Sequence, residues 1–142
     1  MARIKVELPE EFLFCTEIAI RIDDINYGGH LGNDALLSLL HEARMRFFEH
    51  FGFQELDIEG LGILIADVAI QYLAQGFRGD VLQVWVGVAD IGRKGCDVVY
   101  LCKHLQTGQE IARAKTGIVF FDWHKQTVAR IPQAFLQGLG LE

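Results

Sequence analysis

The chain is short of the residues that usually mark linkers, cross-links and leader segments. Only two of its 142 residues are proline, and these two, Pro9 and Pro132, bracket a body without repeats, charge blocks or low-complexity segments. We therefore predict one domain over residues 1–142. The three cysteines are odd in number and lack zinc-like or redox-like spacing, and no apolar leader opens the chain. These absences favour a reducing, cytoplasmic setting.

Positive charge and long apolar runs are scarce as well. The formal net charge is −6, whereas a general nucleic-acid binder would carry a basic face. No run approaches the roughly 18–20 consecutive apolar residues that a membrane-spanning helix needs. Neither nucleic acid nor a membrane is therefore an expected partner. Hydrophobic residues nevertheless make up 51% of the chain, which predicts that apolar surface is buried in a subunit interface or a ligand pocket.

The pattern of apolar residues predicts five strands and one long helix. Residues 12–22 alternate with a period of two, which is typical of a strand. A polar, glycine-rich break follows, and Asn33 or Asp34 is the expected N-cap of a helix over residues 35–51, with Gly52 as its C-cap. Four further strands are predicted at residues 63–72, 81–91, 95–105 and 110–123, and a short helix at residues 132–139.

Apolar residues cover most of the predicted long helix, and its polar residues form only a narrow stripe. Such a helix must be enclosed by other structure. We therefore predict an α+β fold in which a curved antiparallel sheet of about five strands wraps around one long central helix and buries it almost fully. A sheet of this kind leaves an edge strand, and pairing with a second copy is a common way to protect that edge.

The break between the first strand and the long helix holds most of the groups suited to chemistry. Asp24, Asn26, His30, Asn33 and Asp34 occur there, interleaved with glycines at positions 28, 29 and 32. Glycine lets backbone amides approach a ligand closely, and the start of a helix presents unpaired N–H groups and a partial positive charge. Such a place suits a developing oxyanion, as on a thioester carbonyl under attack.

The segment from Asp24 to Arg44 resembles the signature of the 4-hydroxybenzoyl-CoA thioesterase-like branch of the hotdog superfamily. That signature contains D-x-D-x-x-G-H-V-N-N, and this chain has D-I-N-Y-G-G-H-L-G-N at residues 24–33, with E-A-R at residues 42–44. The pair Gly79-Asp80 before a predicted strand resembles a further family passage. The resemblance implies the hotdog fold, a homodimer or homotetramer, and a thioesterase that needs no cofactor because CoA is part of the substrate.

One position departs from the family pattern. The second acid of D-x-D is the family's catalytic nucleophile or base, and Asn26 occupies that position here. Asparagine cannot act as a carboxylate nucleophile or a general base. The stretch also resembles the D-x-N-x-H segment of plant acyl-carrier-protein thioesterases, with the histidine two residues further on. That likeness implies that Asn26 positions substrate or water, His30 activates the water and Asp24 orients the site.

Other residues complete the predicted site. The backbone N–H of Asn33 matches the family position that polarises the carbonyl, and Glu42 is a second candidate base because another thioesterase branch uses an acid on the helix. Gly29 and Tyr27 are predicted to contact substrate, and Arg78 to contact the CoA phosphates. Cys96, Cys102 and His104 are separated by even numbers of positions and could share one strand face, but they lack a fourth ligand. No metal site is therefore predicted.

These features favour hydrolysis of an acyl-CoA or acyl-carrier thioester at a dimer interface beside the start of the central helix. Two alternatives stay open: a hotdog enoyl-CoA hydratase or dehydratase, and a non-catalytic acyl-CoA-binding protein. The second alternative draws on the missing acid at Asn26. The acyl group, the carrier, the number of subunits and the choice between His30 and Glu42 as base are not determined by the sequence.

Overall fold

The strands and helices follow the predicted order along the chain. The structure is a computed structural model that describes residues 2–141; the predicted range 1–142 therefore includes two residues that lie outside the described part. The elements are β1 (Phe14–Ala19), α1 (Asn33–His50), β2 (Gly62–Tyr72), β3 (Val81–Ala89), β4 (Gly95–His104), β5 (Glu110–Asp122), β6 (Thr127–Ala129) and α2 (Gln133–Gly138). A 3-10 turn, Ile22–Asp24, follows β1. None of the helices formed by residues 2–141 combines the length and the apolar character needed to cross a bilayer.

All strands belong to one antiparallel sheet with the order β1-β3-β4-β5-β2, and β6 pairs with the end of β5. The five predicted strands are present, and β6 is a sixth that the sequence analysis missed. It is only three residues long and mostly exposed, so it offers little hydrophobic pattern to recognise. The predicted first strand is too long, because its last residue, Ile22, already begins the 3-10 turn.

Alternate residues of β4 and β5 face α1 and form the core. Tyr100 and Thr116 lie on this face, where their hydroxyl oxygens are 2.8 Å apart. Because Thr116 pairs with Val68 of β2 and Ile118 pairs with Ile65, these two β2 residues face the same side of the sheet. The α1 side of the sheet therefore extends across β2, which is an edge strand.

The start of α1 differs from the prediction. Gly32 is the N-cap, with extended backbone angles and no side-chain cap, so Asn33 and Asp34 belong to the first helical turn. The helix ends at His50 with Phe51 as its C-cap, so the predicted C-cap, Gly52, is the residue that follows the cap. Gly52 adopts a left-handed φ of 83°, and the N–H groups of Gly52 and Phe53 donate to the carbonyls of Glu49 and Phe48 at 3.0 and 2.8 Å, as in a Schellman motif.

The predicted near-complete enclosure of α1 is wrong for the single chain. One face of the helix is buried against the sheet, including Leu40, Ala43 and Phe47. On its other side Leu37 is 41% exposed, and the facing β2 residues Ile65 and Val68 are 43% and 42% exposed. The helix lies over β1 and β3, so the part of the sheet formed by β2 remains open.

Candidate active site

The loop between the 3-10 turn and α1 is fixed by backbone hydrogen bonds. The N–H of Asn26 donates to the carbonyl of His30 at 2.9 Å, and the N–H of Gly32 donates to the carbonyl of Asp24 at 2.9 Å. Gly29 lies inside both of these hydrogen-bonded segments and adopts a φ of 86°, a conformation that glycine takes without steric cost. The loop therefore delivers its side chains to the start of α1 in a defined geometry.

Asp24 is used within this loop. Its carboxylate is buried and accepts a hydrogen bond from the N–H of Arg21 at 2.8 Å. The guanidinium of Arg21 lies 3.6 Å from the same oxygen. Short acidic side chains commonly stabilise turns in this way. The contacts of Asp24 therefore assign it to holding the turn that precedes Asn26.

Asn26 faces a cavity of about 640 Å³ that lies between the loop and the first turn of α1. Its side-chain oxygen accepts a hydrogen bond from the N–H of Gly28 at 2.9 Å, which forms an Asx-turn. The side-chain amide nitrogen of Asn26 remains available as a donor. The structure thus brings Asn26 and the helix start together, as the sequence analysis expected.

The first residues of α1 line the same cavity. Its lining includes Gly32, Asn33, Asp34 and Ala35. The first intrahelical bond runs from the N–H of Leu36 to the carbonyl of Gly32 at 3.1 Å. Among residues 2–141, the N–H groups of Asn33, Asp34 and Ala35 donate no hydrogen bond. The residues that line the cavity beside Asn26 thus include three with unpaired N–H groups, at the positive end of the helix dipole.

The two candidate bases differ in position. His30 is half-buried on the loop, and its ring lies beside Gly28, where an added Cβ would be 3.2 Å from Nε2. Glu42 forms an ion pair with Arg46 at 2.7 Å on an exposed part of α1. It lines a different cavity, of about 370 Å³, together with Arg21 and Asp24. Neither candidate base lines the cavity beside Asn26: His30 lies on the same loop as Asn26, and Glu42 lines the neighbouring cavity, which shares Asp24 with the Asn26 cavity.

Of the predicted substrate-contacting residues, Tyr27 and Asn33 line the cavity beside Asn26, whereas Gly29 and Arg78 do not. Tyr27 lines the cavity and is fully exposed. Arg78 is exposed on the turn before β3. That turn is joined to the candidate site, because the N–H of Leu31 donates to the carbonyl of Gly76 at 2.7 Å.

A third cavity, of about 400 Å³, lies between α1 and the open part of the sheet. Apolar side chains line its walls: Leu37, Ile65 and Val68. Asp34 lines both this cavity and the cavity beside Asn26. Tyr72 of β2 donates its hydroxyl to the carbonyl of Asn33 at 2.9 Å, and burial followed by the charge of Asp34 raises the pKa of this phenol. Tyr72 therefore ties the edge strand to the start of the helix.

The floor of the cavity between α1 and β2 is a polar network that was not predicted from the sequence. Arg44 is 5% exposed, and its guanidinium donates to Glu55 at 2.5 Å and to the Tyr100 hydroxyl at 3.2 Å. His41 lies 3.1 Å from the other carboxylate oxygen of Glu55. Burial alone would lower the pKa of Arg44, but the contacts with Tyr100 and Glu55 raise it above its usual value. One signal was present in the sequence: Arg44 directly follows Ala43 and precedes Phe47 on the otherwise apolar face.

The cysteines occupy the core. Burial raises the pKa of the thiols of Cys96 and Cys102 to about 12, so both are protonated and poor ligands at neutral pH. Within the part of the chain that the structure describes, no three His, Cys, Asp or Glu side chains are grouped so as to hold a metal ion.

Comparison with known proteins places this geometry in context. The sequence matches the thioesterase-like superfamily over residues 20–139. A 1,4-dihydroxy-2-naphthoyl-CoA thioesterase from Synechocystis is 19% identical with a TM-score of 0.82, over 89% of this chain and 95% of that chain. A predicted thioesterase from Bacillus stearothermophilus is 22% identical with a TM-score of 0.78, over 89% and 93%. A gentisyl-coenzyme A thioesterase is 17% identical with a TM-score of 0.78, over 89% and 99%. A search among curated proteins gave no significant match. The structural likeness confirms the predicted hotdog fold.

Proposed function

This chain belongs to the thioesterase-like superfamily, and on that premise we propose that it hydrolyses an acyl-CoA or acyl-carrier thioester to the free acid and the thiol. One observation carries the proposal: Asn26 lines one cavity at the start of α1 together with Asn33 and Asp34, whose N–H groups are unpaired. A thioester carbonyl placed there would meet preorganised donors where negative charge develops during attack.

The proposed oxyanion site is the first turn of α1. The N–H groups of Asn33 and Asp34 would donate to the carbonyl oxygen, and the helix dipole would favour the negative charge. Loss of a single donor of this kind typically costs about 10²–10³ in turnover. Because backbone amides cannot be removed by substitution, this part of the proposal is best tested with a ligand that resembles the oxyanion.

Asn26 has a positioning role in this proposal. Its Oδ1 is held by Gly28, so its side-chain N–H group is directed by the turn and can donate to the carbonyl or to the attacking water. A carboxamide does not attack a thioester as a carboxylate would. The proposed nucleophile is therefore water rather than the residue at position 26.

A proton acceptor must activate this water. Of the two candidates from the sequence, His30 shares the loop with Asn26, whereas Glu42 is engaged by Arg46 in another cavity. Turnover of His30→Ala and Glu42→Ala separates them: a loss of about 10²-fold or more identifies a proton acceptor.

The rim would hold the carrier portion of the substrate. Arg78 lies on a turn bonded to the site loop and offers a positive charge for the CoA phosphates. Tyr27 offers an exposed aromatic ring at the mouth of the cavity. Gly29 leaves room for the carrier to approach the loop backbone. Arg78→Ala should raise KM with little change in kcat, because it removes binding that is the same in the ground state and transition state.

We also propose that a second copy covers the open side of α1 and completes the site. Leu37, Ile65 and Val68 form an exposed apolar strip beside the edge strand β2. Exposed edges and apolar patches of this kind are commonly protected by pairing with an identical chain. The cavity between α1 and β2 would then lie at a subunit interface in a homodimer or homotetramer.

The decisive experiment is a thiol-trapping assay of the purified chain across short, long and aromatic acyl-CoAs. Steady thiol release with one class identifies the acyl group and supports the proposal. A flat trace, combined with stabilisation of the protein by the same acyl-CoA, would replace hydrolysis with binding. Hydration of crotonyl-CoA without thiol release would indicate a hydratase instead.

A further inference from the structure

The carboxylate of Asp34 has no role in the mechanism proposed above, and it lies between two of the cavities. Asp34 lines both the cavity beside Asn26 and the cavity between α1 and β2. It is exposed in the first turn of α1, adjacent to the amides that face the proposed carbonyl position. Within the described part of the chain, its carboxylate forms no ion pair with a basic side chain.

We propose that Asp34 is the catalytic carboxylate that takes the proton from the attacking water, in place of the acid that is missing at position 26. This inference rests on the proposed thioester hydrolysis and adds the identity of its proton acceptor. Asp34 belongs to the same cavity as Asn26, so both can reach one water molecule at the carbonyl carbon.

The proposed step conserves atoms and charge. Asp34 accepts a proton as the water oxygen bonds to the carbonyl carbon, and the carbonyl π electrons move to the oxygen held by the helix amides. The C=O bond then reforms and the C–S bond breaks. The departing thiolate takes the proton from Asp34, which regenerates the carboxylate. The products are one carboxylic acid and one thiol for each thioester and water consumed.

The other acids near the loop are less suited to this role. Asp24 is buried and accepts a hydrogen bond from the N–H of Arg21, and Glu42 is paired with Arg46 in a different cavity. Gly32 supports the role of Asp34. A Cβ at position 32 would lie 2.9 Å from Oδ1 of Asp34 and 3.7 Å from Cβ of Asn26. The absence of that atom leaves free the space between these two side chains.

An acidic residue in the first turn of a helix also stabilises the helix through its dipole, so the test must separate chemistry from stability. The variants are Asp34→Asn, Asp34→Glu and Asp34→Ala, with Asp23→Asn as the matched control. Asp23 is an exposed carboxylate on the neighbouring 3-10 turn and lines the same cavity as Asn26, but it lies outside α1, so its substitution removes the same charge from the cavity without touching the helix start. Circular dichroism and gel filtration establish that each variant is folded.

For Asp34→Asn, kcat should fall by about 10²-fold or more, with KM changed much less. The decline of kcat at low pH that protonation of the acceptor causes should disappear in Asp34→Asn and persist in His30→Ala. Asp34→Glu should retain part of the activity, and added formate should restore part of the activity of Asp34→Ala. Asp23→Asn should behave as wild type.

The inference is overturned if folded Asp34→Asn keeps kcat within about threefold of wild type, or if Asp23→Asn loses as much activity. Absence of formate rescue together with an unchanged low-pH decline in Asp34→Asn also overturns it. A wild-type chain that releases no thiol from any acyl-CoA instead refutes the proposed function itself. The two failures are therefore distinguished by the wild-type assay.

Discussion

Replacing Glu55 with glutamine should strongly destabilise the fold, because it leaves the charge of Arg44 buried without its counter-ion. The two side chains are 15% and 7% exposed, and their closest atoms are 2.5 Å apart. The pKa of Arg44 is raised, so the guanidinium cannot escape the penalty by losing its proton. Removing one partner of a buried pair typically costs about 3–5 kcal/mol.

The residual exposure of Glu55 and the remaining contact between Arg44 and Tyr100 place the expected loss near the lower end, at about 3 kcal/mol. For a chain of this size, that corresponds to a drop in Tm of roughly 6–12 °C. Urea unfolding of Glu55→Gln measures the free energy directly. Glu42→Gln is the matched control, because it removes a carboxylate from the exposed Glu42–Arg46 pair, where the expected loss is below about 1 kcal/mol.

A double-mutant cycle provides the sharper test of this reasoning. Arg44→Met removes the buried charge and retains much of the side-chain volume, so the double variant should be more stable than the sum of the single losses predicts. If Glu55→Gln unfolds like Glu42→Gln, or if the two losses at Glu55 and Arg44 simply add, the buried pair does not act as described.

Three further results are expected. The thiols of Cys96 and Cys102, whose pKa values burial raises to about 12, should resist a thiol reagent in the native protein and react in urea. Because the pKa of a cysteine thiol in the unfolded chain is near 9.0, the unfolded state loses these protons first. The free energy of unfolding should therefore fall as pH rises from 9 towards 12, and a flat profile in urea titrations would contradict this. Gly95→Ala should lower the free energy of unfolding by about 1–3 kcal/mol, because the added Cβ would clash with the carbonyl oxygen of Ile118 in β5. Gly92→Ala is the control, since the nearest atom to its Cβ would be 3.7 Å away. Under the proposal that a second copy covers the open side of α1, Val68→Asp should lower the assembled fraction in sedimentation velocity, and an unchanged distribution would contradict an interface at this position.

The strands and long helix were predictable because period-two alternation and the apolar character of residues 35–51 are strong local signals. The N-cap was placed wrongly, since Asn33 and Asp34 have suitable side chains but the chain enters the helix through Gly32, which provides no side-chain cap. β6 depends on pairing with β5 rather than on its own pattern. The exposed side of α1 shows that apolar character predicts burial without specifying whether the same chain or another covers it.

The candidate site was predictable in part. The juxtaposition of Asn26 with the helix amides follows from a short loop that directly precedes α1. The i,i+4 spacing of Glu42 and Arg46 already allows the ion pair that the structure shows, but the cavity that Glu42 lines depends on the tertiary fold. Arg44 and Glu55 meet only through the tertiary fold, so no local spacing in the sequence relates them. The roles of His30, Tyr27 and Arg78, the cytoplasmic setting and the number of subunits remain predictions.

The Asx-turn at Asn26 has a consequence for how this loop tolerates change. The turn requires only an oxygen at position 26 that accepts the N–H of Gly28, and aspartate supplies the same oxygen as asparagine. Loop architecture is thus insensitive to which of the two residues is present, while their chemistry differs completely. A single substitution, Asn26→Asp, is therefore expected to add a second carboxylate to the cavity that Asp34 lines without changing the backbone of the loop. The reaction mechanism of this protein could then change while its loop conformation stays the same.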